Sequence, residues 1–252
     1  MIPVDVIFLD IDGVLLPFGD SAAAKNNKKS SSQEKENKCE DCIFPTNTMN
    51  ALTILLQKVG DISLTIKDSS NTKNKPRTIK GNPVLVLSST WRARQEFISD
   101  ILKSFRAYQQ QLPHSSVQQD VWEPHLDSFF DLVDPTYHAT RHDEIFSWVR
   151  ENDEEGKNRR NNSKKRKRRR TPQELECTST VIDFQVRSWI ALDDEDLVNV
   201  EDGRVEEKAK KFAVKTESSI GLTLQDVDSG VKLLQDQIHS FYHRNNYLQP
   251  TK

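Results

Sequence analysis

Short, continuous apolar runs separated by helical stripes limit the folds open to this chain more than any other feature of its sequence. The clearest runs are VDVIFL (4–9), VLVL (84–87) and WIAL (189–192), and weaker ones lie at 129–133 and 211–214. Continuous apolar runs of this length are typical of strands that are buried on both faces. They therefore predict a sheet whose two faces are both covered.

Helical periodicity occupies the intervals between these runs. Apolar residues recur at helical spacing within 47–59, 97–105 and 145–149, and again after a capping box formed by Thr223 and Asp226. Strands that alternate with helices indicate an α/β fold, namely a doubly wound (Rossmann-like), mainly parallel sheet with helices on both faces. In such folds ligands bind beyond the carboxyl ends of the strands, so the chemistry is expected there.

Three polar segments interrupt this pattern, at about 20–40, 67–82 and 151–174. They are rich in Lys, Asn, Ser and Arg, and segments of such composition cannot bury enough apolar surface to offset the entropy of ordering. We therefore expect residues 1–252 to form a single domain that carries three flexible insertions and has no substantial cap domain.

Polar residues directly follow three of the predicted strands. Asp10 and Asp12 come after the first, Ser88 and Ser89 after the second, and Asp193–Asp194 after the run at 189–192. Because the carboxyl ends of parallel strands meet at one edge of a sheet, these side chains are predicted to lie together. Carboxylates grouped in this way repel one another unless a cation neutralises them, and hard oxygen ligands favour Mg²⁺.

A site of this kind contains the parts that phosphoryl transfer needs. One carboxylate can attack phosphorus and carry the phosphoryl group, while a second, protonated one assists the leaving oxygen and later activates water. A short hydroxyl such as that of Ser88 can hold a phosphoryl oxygen, and a fixed cation must complete the site. The candidate cation is Arg141, at the start of a helix predicted at 140–150.

The residues at these strand ends resemble known sequence motifs. VIFLDIDGVL is similar to the first motif of the haloacid-dehalogenase-like (HAD) phosphohydrolase superfamily, VLVLSSTWR to its second motif and WIALDDED to its fourth. More narrowly, these motifs together with RHDEIFSWV and GLTLQDV resemble the HAD domains associated with Swiss Army Knife RNA-repair proteins. The resemblance extends over residues 4–238 and implies a parallel, doubly wound sheet.

The same resemblance implies a role for each site residue. It makes Asp10 the nucleophile and Asp12 the general acid/base, and it places both near a catalytic Mg²⁺, Asp12 through its backbone carbonyl. Asp193 and Asp194 would complete the metal site. The implied phosphate-binding residues are Ser88, Ser89 and Arg141, of which Arg141 stands where the superfamily usually has Lys.

Two classes of function follow from these residues, an enzyme and a binding module. The enzyme is a magnesium-dependent phosphatase, a phosphomonoester hydrolase that acts through an aspartyl-phosphate on Asp10; a variant of it transfers the phosphoryl group to an acceptor other than water. The alternative is a non-catalytic module that keeps the HAD fold and binds phosphate or nucleic acid. Without a folded cap the site is expected to be open, which suits a large substrate such as a nucleic-acid end or a phosphoprotein.

A basic block within the third insertion predicts a partner of its own. Residues 157–170 hold ten Lys or Arg residues, whereas the whole chain has a net charge of −2, so a uniformly basic surface is excluded. KKRKRRR (164–170) could be a signal for a nuclear-import receptor, a contact for nucleic-acid backbones, or a solvated loop. We expect the protein in the nucleus or cytoplasm, and not in a membrane, because no apolar run approaches the roughly 20 residues of a spanning helix.

Overall fold

A computed structural model describes the strands and helices that the sequence predicts and the segments that join several of them. The described residues are 2–18, 42–66, 77–113, 121–122, 131–132, 141–152, 184–195, 197 and 211–244. The elements within them are β1 (Ile2–Leu9), α1 (Thr46–Gly60), β2 (Ser63–Ile66), β3 (Arg77–Lys80), β4 (Pro83–Leu87), a 3₁₀ turn (Thr90–Ala93), α2 (Gln95–Gln111), β5 (Asp131–Leu132), α3 (Arg141–Asn152), β6 (Phe184–Asp193), β7 (Ala213–Lys215) and α4 (Leu224–Arg244).

Five of these strands form a parallel sheet in the order β5-β4-β1-β6-β7. The central strand β1 is therefore paired on both sides, which explains why its sequence is apolar apart from Asp5. Its last residue, Leu9, lies opposite Leu87 of β4 and Leu192 of β6. Because the three strands end in register, the residues that follow them are neighbours at one edge of the sheet.

Helices cover both faces of the sheet, as the sequence predicts. Alternate residues of β1 point to opposite faces, so Ile7 and Leu9 pack in one core with α1, α2 and α4, while Phe8 packs in the other with α3. In the second core the Phe8 ring meets Trp148 and Trp189 edge to face, at centroid distances of 5.3 and 5.6 Å. The α/β, doubly wound parallel fold is thereby confirmed.

The polar composition of 67–82 predicts a loop, and this is wrong for residues 77–80. They form β3, which pairs with β2 in an antiparallel hairpin apart from the main sheet. Leu64 and Ile79 face each other across the hairpin and pack against the main core, which accounts for the order of an otherwise polar segment. The predicted insertion at 20–40 and residues 67–76 of the second insertion lie outside the described residues. Of the third insertion, residues 151 and 152 belong to α3, which ends at Asn152, and residues 153–174 lie outside the described residues.

A buried ion pair links β1 to β6 away from the strand ends that carry the site. The register between these strands shifts by one residue at Asp5, which leaves Arg187 as the extra residue of β6. The Arg187 guanidinium donates to both carboxylate oxygens of Asp5, and both side chains are at most 1% exposed. Asp5 also accepts hydrogen bonds from the Ser188 hydroxyl (2.6 Å) and the Asn82 amide (2.8 Å), so the buried charge is well paired.

Among the described helices, none combines the length and the apolar character needed to cross a membrane.

Candidate active site

The register of the parallel strands alone brings the predicted site residues to one edge of the sheet. Asp10, Ser88 and Asp193 occupy the same row, since each lies one position beyond the paired leucines of β1, β4 and β6. The amide of Asp10 donates to the carbonyl of Leu192 (3.1 Å), and the amide of Ser88 donates to that of Leu9 (3.0 Å). The expectation that these residues meet at the carboxyl edge of the sheet is thus met by hydrogen bonds that the strands themselves make.

Three carboxylates converge at this edge. One oxygen each from Asp10, Asp193 and Asp194 lies within 4.8 Å of the others, and Asp10 and Asp193 are buried. Burial, opposed in part by a nearby arginine and reinforced by the charge of Asp10, raises the pKa of Asp193 to about 7. Burial and then Asp10 also raise the pKa of Asp194 above its ordinary value. Crowding of like charges is therefore costly here without a further cation.

Arg141, the first residue of α3, bridges two of these carboxylates. A single nitrogen, Nη1, lies 2.5 Å from Oδ2 of Asp10 and 2.9 Å from Oδ2 of Asp193. Burial alone would lower the pKa of Arg141, but Asp193 and Asp10 raise it above its ordinary value, so the side chain stays charged. The structure thus brings the cation predicted from the sequence to the same place as the acidic residues.

The donor set of this cluster fits a hard divalent cation. All three ligand atoms are carboxylate oxygens, and one arginine against three carboxylates leaves two negative charges to be balanced. The residues that would hold the ion are Asp10, Asp193 and Asp194. The carboxylate of Asp12 lies outside this group, so the predicted role of Asp12 at the metal rests on its backbone carbonyl and stays a prediction.

Asp12 has a partner that the sequence does not reveal. The indole Nε1 of Trp91 donates a hydrogen bond to Oδ2 of Asp12 at 3.0 Å. Trp91 lies on the 3₁₀ turn that follows β4, and its ring packs against the core. A tryptophan in such a position is ordinarily interpreted as a packing residue, and here it also contacts the predicted general acid.

The two serines after β4 differ in what their hydroxyls do. Ser89 caps the 3₁₀ turn, because its Oγ accepts from the amide of Trp91 at 3.4 Å. The hydroxyl of Ser88 is buried and has no hydrogen-bond partner among the residues that the structure describes. Buried hydroxyls are rarely left unpaired, and an anion held at the site would supply the missing acceptor. This observation supports Ser88 over Ser89 as the phosphate-binding hydroxyl.

Gly13 allows the first and fourth motifs to touch. Its φ of 68° lies in the left-handed region, and a Cβ added to it would stand 2.2 Å from Oδ2 of Asp194. Any side chain at this position would therefore displace the carboxylate of Asp194. The turn is held from the other side by Thr216, which donates its hydroxyl proton to the Gly13 carbonyl at 3.1 Å.

A second arginine fixes α3 to the site. The Arg92 guanidinium donates to the carbonyls of Ser88 and Ser89 and to Oε2 of Glu144 on α3, the last at 2.5 Å. Both side chains of this ion pair are less than a tenth exposed. Since Glu144 lies one helical turn after Arg141, the pair sets the position from which Arg141 reaches the carboxylates. Sequence reasoning missed both residues, although Arg92 belongs to the SSTWR motif.

Comparison with known protein families identifies a relative of this chain. A family model described as the HAD domain in Swiss Army Knife RNA repair proteins matches residues 6–161. The matched segment includes Asp10, Asp12, Ser88 and Arg141, whereas Asp193 lies beyond it and joins the site through the register of β6. No curated protein and no solved structure matches the chain.

Proposed function

Because the chain belongs to the family of HAD domains in Swiss Army Knife RNA repair proteins, we propose that it is a magnesium-dependent phosphatase that hydrolyses phosphomonoesters through an aspartyl-phosphate on Asp10. The observation that carries this proposal is the row formed by Asp10, Ser88 and Asp193, with Arg141 bridging the two carboxylates. A nucleophile, a hydroxyl for the phosphoryl group, metal ligands and a fixed cation thus stand at one sheet edge, as phosphoryl transfer requires.

The first chemical step is an attack by a carboxylate oxygen of Asp10 on phosphorus. Oδ1 of Asp10 accepts a hydrogen bond from the amide of Ile11 at 2.8 Å, and Oδ2 faces Arg141, so both oxygens are held and the charge is stabilised. The new bond joins this oxygen to phosphorus while the bond from phosphorus to the leaving oxygen breaks. Asp12 donates its proton to that leaving oxygen.

The second step reverses the proton movement. Asp12, now ionised, accepts a proton from water, and the resulting hydroxide oxygen attacks phosphorus. The bond between phosphorus and Asp10 breaks, inorganic phosphate is released, and Asp10 is a carboxylate again. Asp12 ends the cycle protonated, so protons and bonds balance over the two steps.

Phosphoryl oxygens are held by groups that the protein contributes on two sides. The Ser88 hydroxyl, which lacks a partner among the described residues, donates to one of them, and Arg141 neutralises charge on another. When bound by Asp10, Asp193 and Asp194, Mg²⁺ supplies the remaining positive charge that the phosphoryl group needs.

We propose an open site and a large substrate, such as a nucleic-acid end or a phosphoprotein. The described hairpin β2–β3 leads into the amino end of β4, which is the end of the sheet opposite the site. It therefore supports the proposal that no folded element of this region covers the carboxylates. A preference for small free metabolites over phosphorylated oligonucleotides and peptides would contradict the proposal.

Residues 164–170 lie outside the described part of the chain, and for them we propose a nuclear-import signal. The proposal rests on the seven consecutive basic residues alone. Fusion of these residues to a fluorescent protein should concentrate it in nuclei, and replacement of the lysines and arginines by Gln should abolish that. If the fusion stays evenly distributed, binding of a 5′-labelled oligonucleotide with a steep salt dependence would favour a nucleic-acid contact instead.

The proposed reaction is tested by phosphate release from a generic aryl phosphate, with Mg²⁺ and with a chelator. The wild type should release phosphate only with Mg²⁺, and Asp10→Asn should release none. The matched control is Asp100→Asn on α2, which changes a half-exposed carboxylate that pairs with Lys103 far from the site and should retain full activity. Release by Asp10→Asn at the wild-type rate would refute the nucleophile.

Absence of release from all folded variants would favour the alternative, a non-catalytic module that binds phosphate. Beryllofluoride binding then shows whether the site is still assembled, because beryllofluoride binds only where the Asp10 carboxylate and a metal ion are both in place. Release of phosphate into an added acceptor, without free inorganic phosphate, would indicate phosphotransfer instead of hydrolysis.

A further inference from the structure

We infer that Trp91 is a positioning residue, whose indole N–H fixes Oδ2 of Asp12 so that the opposite oxygen, Oδ1, carries the proton to the leaving group. The inference rests on the proposed role of Asp12 as general acid/base. It adds a residue to the reaction and assigns different tasks to the two oxygens of one carboxyl group.

The position of the indole is set by three independent contacts. The backbone amide of Trp91 donates to Oγ of Ser89, which fixes the start of the 3₁₀ turn. Its ring packs against Phe97 of α2 at a centroid distance of 5.1 Å and against the main core. Nε1 then lies 3.0 Å from Oδ2 of Asp12. The hydrogen bond is therefore made by a donor whose location does not depend on Asp12.

The chemistry of the indole determines which oxygen is protonated. An indole N–H can donate a hydrogen bond but cannot accept one, so Oδ2 must act as the acceptor. The hydroxyl oxygen of a neutral carboxyl group is a poorer acceptor than the carbonyl oxygen. The proton of neutral Asp12 consequently resides on Oδ1, and the carboxyl group is held in one of its two orientations.

The same hydrogen bond separates Asp12 from the metal ligands. The described acidic cluster contains Asp10, Asp193 and Asp194 but not Asp12, although Asp12 is only two positions from Asp10. By holding Oδ2, Trp91 keeps Asp12 available for proton transfer.

The inference predicts a characteristic dependence on the leaving group. Departure of a strongly acidic phenol needs little protonation, whereas departure of a weakly acidic one depends on the general acid. Trp91→Phe keeps an aromatic ring in the core and removes the N–H. We expect kcat/KM for 4-nitrophenyl phosphate to fall about twofold and that for unsubstituted phenyl phosphate to fall roughly tenfold, because Asp12 becomes charged as its proton leaves and the variant lacks a hydrogen bond to that charge.

The matched control is Trp122→Phe. Trp122 is buried, and its Nε1 donates a 3.0 Å hydrogen bond to Thr53, so the substitution also removes an indole hydrogen bond from the core but none from Asp12. Its kcat/KM should change by the same factor for every phenyl phosphate in the series. Thermal unfolding shows that each variant is folded; if Trp91→Phe does not fold, 3-benzothienylalanine at position 91 retains the bicyclic shape without the N–H.

The experiment measures kcat/KM, which reports the step in which the phenol leaves, for a series of ring-substituted phenyl phosphates and plots its logarithm against the acidity of the phenol. A steeper line for Trp91→Phe than for the wild type and Trp122→Phe supports the inference. Parallel lines for Trp91→Phe and the wild type overturn it. Asp12→Asn separates failure of the proposed function from failure of the inference. If its line is as shallow as that of the wild type, the proposed role of Asp12 as general acid fails. If its line is steep while that of Trp91→Phe is not, only the inference about Trp91 fails.

Discussion

Replacement of Arg141 by Met tests whether the arginine and a divalent cation neutralise the same charges. The substitution removes Nη1 from its positions 2.5 Å from Asp10 and 2.9 Å from Asp193, and it leaves two carboxylates that are 3% and 1% exposed. Their oxygens lie within 4.8 Å of each other. Two unit charges at that separation repel by about 3.5 kcal/mol at an effective dielectric constant of about 20.

This repulsion agrees with the general cost of breaking a buried ion pair on one side, about 3–5 kcal/mol. We therefore expect Arg141→Met to lower the free energy of unfolding by about 3 kcal/mol in the presence of a chelator at about pH 8, because the variant must either bear this repulsion or take up a proton on Asp193, whose pKa burial raises and Arg141 in part holds down. With Mg²⁺ the deficit should shrink, because the ion supplies the missing positive charge. The variant should bind Mg²⁺ more tightly than the wild type, while its turnover falls about 100-fold for lack of the fixed cation.

Urea unfolding with chelator and with Mg²⁺, together with magnesium titration by calorimetry, measures each of these quantities. Arg141→Lys should retain most of the stability, because one nitrogen makes both contacts and an ammonium group can stand in its place. Arg150→Met is the matched control, since it removes an exposed arginine from the last turn of the same helix. Equal destabilisation of Arg141→Met with and without Mg²⁺ would refute the idea that the two cations share their partners.

Three further predictions concern two residues of the site and the buried ion pair between β1 and β6. In the metal-free protein the pKa of Asp193 is about 7, against an ordinary value of 3.8, so the folded state holds more protons than the unfolded state and stability should decrease as pH rises from about 4 to about 7. In urea unfolding Asp193→Asn should lack this decrease. A wild type that gains stability over the same range would contradict the argument. Gly13→Ala should lower turnover and destabilise the protein by about 1–3 kcal/mol, because its Cβ would overlap Asp194; wild-type kinetics from this variant would show that the turn can adjust. Arg187→Met should lower the free energy of unfolding in urea by about 3–5 kcal/mol without changing KM, whereas adding Asp5→Leu should recover much of that stability. A double variant as unstable as the single one would mean that packing and not charge is responsible.

Much of the site was predictable because a parallel sheet converts sequence position into spatial position. Asp10, Ser88 and Asp193 each follow an apolar run, and strands that end in register bring such residues together without further information. Arg141 was predicted from the need for a cation and from its place at the start of a helix. Strand β1 and the helices were predicted from the pattern of their apolar residues, and the capping box from the spacing of Thr223 and Asp226.

The residues that hold the site in place could not be predicted in this way. The contact between Trp91 and Asp12 joins positions 79 apart, and the ion pair between Arg92 and Glu144 joins positions 52 apart. The hydrogen-bond partner of an indole N–H and the ion-pair partner of a charged side chain do not produce a periodic pattern in the sequence. The hairpin was missed because its polar composition hides the pairing of two short strands, in which Leu64 and Ile79 pack against the core.

The two neighbours of β1 become available at very different times during synthesis. Asp5 bonds to Asn82, 77 positions later in the chain, and to Ser188, 183 positions later. At typical elongation rates of about 5–20 residues per second, one edge of β1 stays unpaired on the ribosome for roughly 5–20 s after the other can close. An open apolar strand edge invites association with other chains. We therefore expect nascent chains stalled before β6 to bind chaperones and to have an incomplete site, since Asp193 arrives with the second neighbour of β1.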